Sequence, residues 1–294
     1  MKSTRLVRAI RTALFDADVL AYRFGYSGVV DLDFGDGDLA TLEDPDEAMR
    51  KSLLHVEEVT EDCGCDDVIL CWSDAAPYNN FRLDVDCTYK WKRNRNDRPG
   101  NYQAVRDGLT DRFESIERPR LEADDVMGIL QTAPGNTVVR QQLLRGGETI
   151  IISVDKDMLQ IPGLHYNPVT RKRTLVKKID GDHLHMLQTI MGDTVDNYDG
   201  IPGVGIKGAT KYLEPAGLDP VLEWECVLRA YIESNQWPDS HPEHPWEASE
   251  AAITQARLAK ILQWPNYNMK TKEVRLWTPP TQRPDPWVNR MTAA

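Results

Sequence analysis

No apolar stretch in the 294 residues approaches the length of a membrane span, and Met1–Arg5 does not lead into a signal-peptide apolar region, so a soluble cytoplasmic chain is expected. Cysteine is scarce: five, at 63, 65, 71, 87 and 226, an odd set without metal-finger spacing. Cys63-Gly64-Cys65 is too short for the usual structural zinc pair, which predicts loop thiols in a reducing compartment. The six histidines are scattered, and His183 and His185, two apart, point in different directions on a helix and cannot chelate together. Positive charge is also short, with a formal net charge of −11. That argues against a general nucleic-acid coat but leaves local basic patches open. No Walker-type or Ser-His-Asp arrangement is visible.

What is present is a 41% hydrophobic chain, enough for a substantial core. Residues 12–16 read as a short buried strand ending in a carboxylate, followed by a helical or loop stretch from Ala17 to Tyr26. Residues 27–43 read as a surface excursion rich in Gly and Asp. A helix is predicted from Asp44-Pro45 to about Glu61, with Asp44 as N-cap and Glu47 three residues on. Asp67 to Trp72 and Thr149 to Val154 are two more buried strands, leaving at Ser73-Asp74 and at Asp155. Residues 164–178 suggest a hairpin, and Leu184, Leu187, Ile190 and Met191 give one packed helix face. The last ninety or so residues hold six of the eight tryptophans and no catalytic signature; they suit docking a partner or covering the sheet, with the second expected. Strands separated by helices predict an α/β sheet with helices on both faces.

The chemistry gathers around Leu121-Glu122-Ala123-Asp124-Asp125, three carboxylates at the start of an apolar helical run. Acidic residues favour a helix's first turn, and Glu122 suits an N-cap. Three predicted strands, however, also end on Asp16, Asp74 and Asp155, and in an open α/β sheet ligands bind beyond the carboxyl ends of the strands. Asp157, Asp193 and Asp196 bring the set to nine carboxylates without clustered His or Cys, which fits Mg²⁺ or Mn²⁺ rather than zinc. Carboxylate-only two-metal sites suit phosphoryl-transfer hydrolysis. Residues 88–98 interleave five basic residues with two aromatics, a pattern for stacking and phosphate contact. A second basic cluster lies at Arg171, Lys172, Arg173, Lys177 and Lys178, where a hairpin turn collecting charge is the simpler reading. In residues 192–209, Gly200, Gly203, Gly205 and Gly208 let backbone amides approach a phosphodiester, with Lys207 opening the next helix. That reads as a sequence-independent backbone clamp.

These residues resemble the flap-endonuclease-like 5′ nucleases, nearest to the 5′–3′ exonucleases of T-odd type bacteriophages. The motifs FDADVLAYR, SDAAPYNNFR, YKWKR, EADD, SVDKDMLQ and GDTVDN with GIPGVGIKGA occur in family order across roughly residues 12–215. The resemblance implies a PIN-like, mainly parallel central sheet with helices on both faces, plus a helix-three-turn-helix subdomain. It divides the chain into a catalytic domain over 1–179, with an arch at about 78–118, and a DNA-binding region with extension over 180–294. It implies Asp16, Asp74, Glu122, Asp124 and Asp125 around a catalytic ion, and Asp155, Asp157, Asp193 and Asp196 for a second. It makes Lys90 and Arg93 active-site cations, Arg23 a phosphate contact and Tyr89 a stacking aromatic. Gly203, Gly205 and Lys207 would meet DNA, and carbonyls of Ile190, Met191, Asp199, Ile201 and Val204 would bind K⁺. The implied activity is Mg²⁺-dependent 5′→3′ cleavage of duplex DNA with 5′ ends or flaps, and of RNA in RNA–DNA hybrids. A monomer without a membrane partner is expected, with room for a replication-protein partner. Departures are Ala17 for the usual Gly, the extra acid Asp18, and Tyr198-Asp199 for the common Ile-Pro. FDADV also resembles the aspartyl-phosphate phosphatases, with Asp16 as nucleophile and Asp18 as acid/base. A catalytically silent binder of branched DNA is the other alternative.

Overall fold

The structure is a computed structural model, and it describes residues 10–33, 39–76, 79–92, 98–138, 140–141, 144, 147–234 and 248–280. In chain order the elements begin with β1 (Arg11–Asp16), α1 (Ala17–Gly25), β2 (Val29–Asp33), β3 (Leu39–Glu43), α2 (Pro45–Asp62) and β4 (Asp67–Trp72). They continue with α3 (Tyr102–Arg112), β5 (Glu114–Glu117), α4 (Ala123–Thr132), β6 (Glu148–Ile152), β7 (Gly163–Asn167) and β8 (Lys172–Val176). The last are α5 (Lys178–Met191), α6 (Ile206–Leu213), α7 (Pro220–Ser234) and α8 (Ala248–Ala259).

Two compact units emerge. One takes its described residues from 1–80, 94–176 and 261–273, the other from 81–93, 177–260 and 274–294. The chain thus leaves the first unit after Val176, not after 179, and comes back to it at Ile261, which no motif announces.

The first unit is built on a six-stranded sheet of order β5-β4-β1-β6-β7-β8, with β8 alone antiparallel. Thr12 through Phe15 are all buried, as expected for a central strand covered on both faces. Alternation divides their burial. Ala13 and Phe15 join Leu70, Ile152, Leu20, Phe24, Val56 and Leu109 in one core with α1, α2 and α3. α4 packs on β1, β4 and β6. The sheet is the expected doubly covered α/β arrangement. Residues 27–43 hold more order than a surface excursion, since β2 and β3 pair antiparallel in register Val29↔Glu43 to Asp33↔Leu39. The second unit packs α5 to α8 around Ile190, Leu213, Trp224, Val227, Tyr231 and Ala256.

All five cysteines are free, yet Cys71 lies in β4 and Cys226 in α7, both buried, so the expectation of loop thiols holds poorly for them. His185 is a core residue bonded to the Ala256 carbonyl, and His183 pairs with Glu223.

The start of α2 is set by Asp44, whose Oδ1 accepts from Glu47 N at 2.9 Å, with Pro45 at the first helical position. Asp44→Ala is expected to cost about 1 kcal/mol of stability, and Asp44→Asn little. Denaturant unfolding of both variants checks this; equal midpoints would show that the cap contributes nothing.

Candidate functional site

Because β1, β4 and β6 run parallel, their carboxyl ends meet one edge of the sheet, with Asp16 in register with Cys71. Asp16 ends β1 and caps α1, its Oδ1 accepting from Val19 N at 3.1 Å. Asp74 follows β4 by two residues and Asp155 follows β6 by three. Burial, then the charges of Asp18 and Asp155, push the Asp16 carboxyl up to about 7. Burial and the nearby charges of Asp16 and Asp124 likewise push the Cys71 thiol up. Asp16 thus feels Asp18 and Asp155 at this edge, and Cys71 feels both Asp16 and Asp124.

The other carboxylates are fixed by donors. Asp74 accepts from Ala76 N (2.9 Å), Asn79 Nδ2 (2.6 Å) and Arg120 N (2.6 Å). Burial alone raises its carboxyl, but these bonds together outweigh it and hold Asp74 below its ordinary value. At the start of α4, Glu122 is the N-cap and forms a capping box with Asp125, so the helix-start reading of this stretch is correct. Asp125 is fully buried, its Oδ2 accepting from Glu122 N at 3.2 Å and its Oδ1 from Leu262 N at 3.0 Å. Asp155 Oδ1 accepts from Asp157 N at 2.8 Å, where a 3-10 turn, Asp157–Gln160, begins.

Asp18 reads from the sequence as an extra acid or, in the phosphatase alternative, as an acid/base. Its Oδ2 accepts from Ser73 N at 2.9 Å and its Oδ1 from the Tyr102 hydroxyl at 3.2 Å, with Arg106 4.0 Å away. Arg106 also pairs with Glu117 at 2.8 Å and lies over the Trp72 ring. Ser73 Oγ accepts from Ala123 N at 3.0 Å, joining the end of β4 to the start of α4. Short polar residues just after a strand were the available signal.

In the helical unit, residues 88–90 are stapled to 196–197. Lys90 N donates to Asp196 O at 2.9 Å, Lys90 Nζ stands 3.1 Å from Asp196 Oδ2, and Asn197 Nδ2 donates to Thr88 O at 3.0 Å. The Tyr89 hydroxyl donates to Asp196 Oδ2 at 3.2 Å, and its ring is buried at 3% exposure. Trp91, at 65% exposure, is the aromatic of this segment that faces solvent. Arg82 anchors the segment by donating to Leu258 O (3.0 Å) and Lys260 O (2.6 Å). Arg93 lies outside the described residues. Asp193 Oδ1 accepts from Val195 N at 2.7 Å and Asp196 N at 3.3 Å.

The glycines divide by role. Gly192 (φ +69°) and Gly200 (φ +59°) abut each other's chain, and a Cβ on Gly200 would meet Ile190 O at 2.5 Å. A Cβ on Gly203 or Gly205 would meet nothing within 4 Å, so these two leave the backbone approachable. Gly205 caps α6 without a side-chain bond, and Lys207 is exposed in its first turn. Ile190 O and Ile201 O each accept one backbone bond, from Ile201 N (2.8 Å) and Val204 N (3.0 Å). Met191 and Asp199 flank Gly192 and Gly200, and Gln255 Oε1 accepts from Gly200 N at 3.1 Å. Arg23 is exposed in the last turn of α1.

Among the described residues, no three His, Cys, Asp or Glu side chains form a ready-made metal cage. Backbone amides instead hold many of these carboxylates, as in the bonds above. In donor type the edge still fits a hard cation, for the candidate ligands are carboxylates, and burial followed by the charges of Asp18 and Asp155 raises Asp16 in a way that a cation would relieve.

No protein-family model matches the chain. It is 32% identical over 234 residues to the exodeoxyribonuclease of Enterobacteria phage T3, covering 72% of this chain and 73% of that one. It is 31% identical over 234 residues to the exonuclease of Escherichia phage T7, covering 72% and 74%. A solved T5 5′-exonuclease with zinc bound shares the fold at TM-score 0.58 and 15% identity, over 85% of this chain and 89% of that chain. The T5 flap endonuclease in a pseudo-enzyme–product complex with DNA and metal ions shares it at TM-score 0.54 and 15% identity, over 85% and 86%.

Asp16→Asn keeps the acceptor for Val19 and removes the charge. In metal-free buffer it is expected to raise the melting temperature most above pH 7, where wild-type Asp16, with its carboxyl at about 7, is ionised whether folded or not. The gain shrinks as pH falls toward the ordinary carboxylate range, because the folded wild type then takes up a proton that the unfolded chain does not. Thermal melts across pH check this, and a gain independent of pH would rule out charge crowding as its source.

Proposed function

Since the chain belongs to the 5′-nuclease family of the T-odd phages, we propose that it hydrolyses phosphodiester bonds from the 5′ ends of duplex DNA with the help of divalent cations at the carboxyl edge of its sheet. The observation that carries the metal reading is the gathering of Asp16, Asp124 and Asp155 at that edge, with Asp16 pushed up to about 7. The residues that would hold a catalytic ion are Asp16, Asp74, Glu122 and Asp124, with Asp125 behind them; Asp155 and Asp157 would serve a second. Mg²⁺ is the expected ion, and Mn²⁺ substitutes for it. A hard cation bound there supplies an activated water and counter-charge for phosphate oxygens.

The chain's own groups do the rest. Lys90 brings an ammonium whose present partner is Asp196, and it neutralises charge on the scissile phosphate once substrate competes for it. Arg23 gives an exposed guanidinium suited to a phosphate. Gly203 and Gly205 present open backbone, and the uncapped start of α6 with Lys207 favours an anion, which makes a sequence-independent hold on the duplex. K⁺ at the carbonyls of Ile190, Met191, Asp199, Ile201 and Val204 belongs to the same reading. So does cleavage of RNA in RNA–DNA hybrids.

A duplex labelled at its 5′ or its 3′ end, incubated with and without Mg²⁺, tests the activity. Release of 5′ nucleotides only with Mg²⁺ is expected; release from the 3′ end, or cleavage in excess chelator, would overturn it. Asp124→Asn is expected to abolish cleavage while leaving duplex binding in place, and near-normal turnover would remove Asp124 from the metal set. Lys207→Ala should weaken duplex binding alike across sequences and lower the salt slope by about one. An unchanged slope would take Lys207 out of phosphate contact.

A further inference from the structure

The chain returns to the sheet unit at Ile261, and the returning segment lies against two elements that carry the carboxylates. Ile261 N donates to Gln160 Oε1 at 3.2 Å, and Gln263 Nε2 donates to Gln160 O at 3.1 Å, both on the turn that begins with Asp157. The next amide along, Leu262 N, donates to Asp125 Oδ1 at 3.0 Å, in the first turn of α4. Trp264 N donates to Thr132 Oγ1 at 2.8 Å at the other end of α4, and the Tyr267 hydroxyl donates to Pro119 O at 3.4 Å just before it. Gly128 permits the approach, because a Cβ there would meet Leu262 O at 2.2 Å. Ile261, Leu262, Gln263 and Tyr267 are all buried.

Two consecutive amides thus bridge α4 to the Asp157 turn, elements that follow different strands. We propose that Ile261–Tyr267 is a positioning strap that holds Glu122, Asp124 and Asp125 at a fixed spacing from Asp155 and Asp157 and thereby sets the affinity of this edge for a divalent cation. Small hard ions demand near-ideal ligand spacing, so loosening the strap acts on cation affinity before it acts on the fold. Asp125, with one oxygen on Glu122 N and the other on Leu262 N, is the joint between strap and helix. The inference rests on the metal reading of the carboxylate edge.

Thr132 lies at the far end of α4 from the carboxylates; its hydroxyl accepts from Trp264 N on the strap and donates to Gly128 O within the helix at 2.7 Å, and Thr132→Ser keeps both bonds. Binding of Mn²⁺ to the full chain without DNA, followed by electron paramagnetic resonance, is compared for wild type, Thr132→Val, Thr132→Ser and Gly128→Ala. Thr132→Val and Gly128→Ala are expected to weaken Mn²⁺ roughly tenfold, whereas Thr132→Ser, which keeps the acceptor, binds as wild type does. Cleavage by Thr132→Val should recover at raised Mg²⁺, with duplex binding in metal-free buffer unchanged. Should Gly128→Ala not fold, the two Thr132 variants decide alone. Superimposable Mn²⁺ titrations for wild type and Thr132→Val, or equal losses for Val and Ser, would overturn the strap. A wild type that binds no Mn²⁺ would overturn the metal reading beneath it instead.

Discussion

Repulsion among carboxylates at the carboxyl edge of the sheet is the constraint on which the arrangement of this unit depends. Five of the acids there are met by backbone donors that keep them in place without cancelling their charge. Asp16 takes Val19 N, Asp18 takes Ser73 N, Asp74 takes Ala76 N and Arg120 N, Asp125 takes Glu122 N and Leu262 N, and Asp155 takes Asp157 N. Backbone N–H groups at turns and helix starts are partial positive charges fixed by the fold, so they steady an anion at no cost in side-chain ordering. What they leave uncompensated collects on Asp16, the carboxyl that burial and two acidic neighbours push up to about 7. The edge is thus rigid in its backbone and strained in its charge. A cation relieves that state.

In the helical unit a single acid is treated differently. Asp196 receives a full cation, Lys90, and a hydroxyl, Tyr89, rather than amides alone. Lys90 reaches it from a left-handed backbone (φ +54°), a conformation that a non-glycine residue adopts only where surrounding bonds enforce it. Here they are the bonds from Lys90 N to Asp196 O and from Asn197 to Thr88 O. The same staple buries the Tyr89 ring, while Trp91 faces solvent.

Much of this was legible from local pattern. A buried strand ending in Asp, an Asp-Pro helix start and a glycine-rich interhelical text each state their structure within a few residues, and β1, α2 and the hairpin between α5 and α6 follow them. The acidic first turn of α4 was read both as a helix start and as a ligand set, and its capping box shows why one stretch supports both readings. What stayed hidden depends on pairing over distance. The Asp- and Gly-rich text of residues 27–43 does not announce the pairing of β2 with β3. The bond from Leu262 to Asp125 spans 137 positions, and nothing periodic in the Trp- and Pro-rich tail marks Ile261 as the point of return. The returning segment joins the sheet unit and bonds to α4 through the amides of Leu262 and Trp264.

Asp18 separates the nuclease reading from the phosphatase reading that FDADV also permits. An aspartyl-phosphate mechanism needs Asp18 to carry a proton to and from substrate beside a nucleophilic Asp16. Both Asp18 oxygens instead accept internal bonds, from Ser73 N and the Tyr102 hydroxyl, with Arg106 close by. A carboxylate held as an acceptor on both sides braces α1 against the end of β4 and the start of α3. Ser73 then passes the brace on to α4 through Ala123 N. The residue that departs from the family pattern therefore reinforces the same edge: it adds negative charge beside Asp16 while tying together the elements that carry Asp16, Asp74 and Asp124.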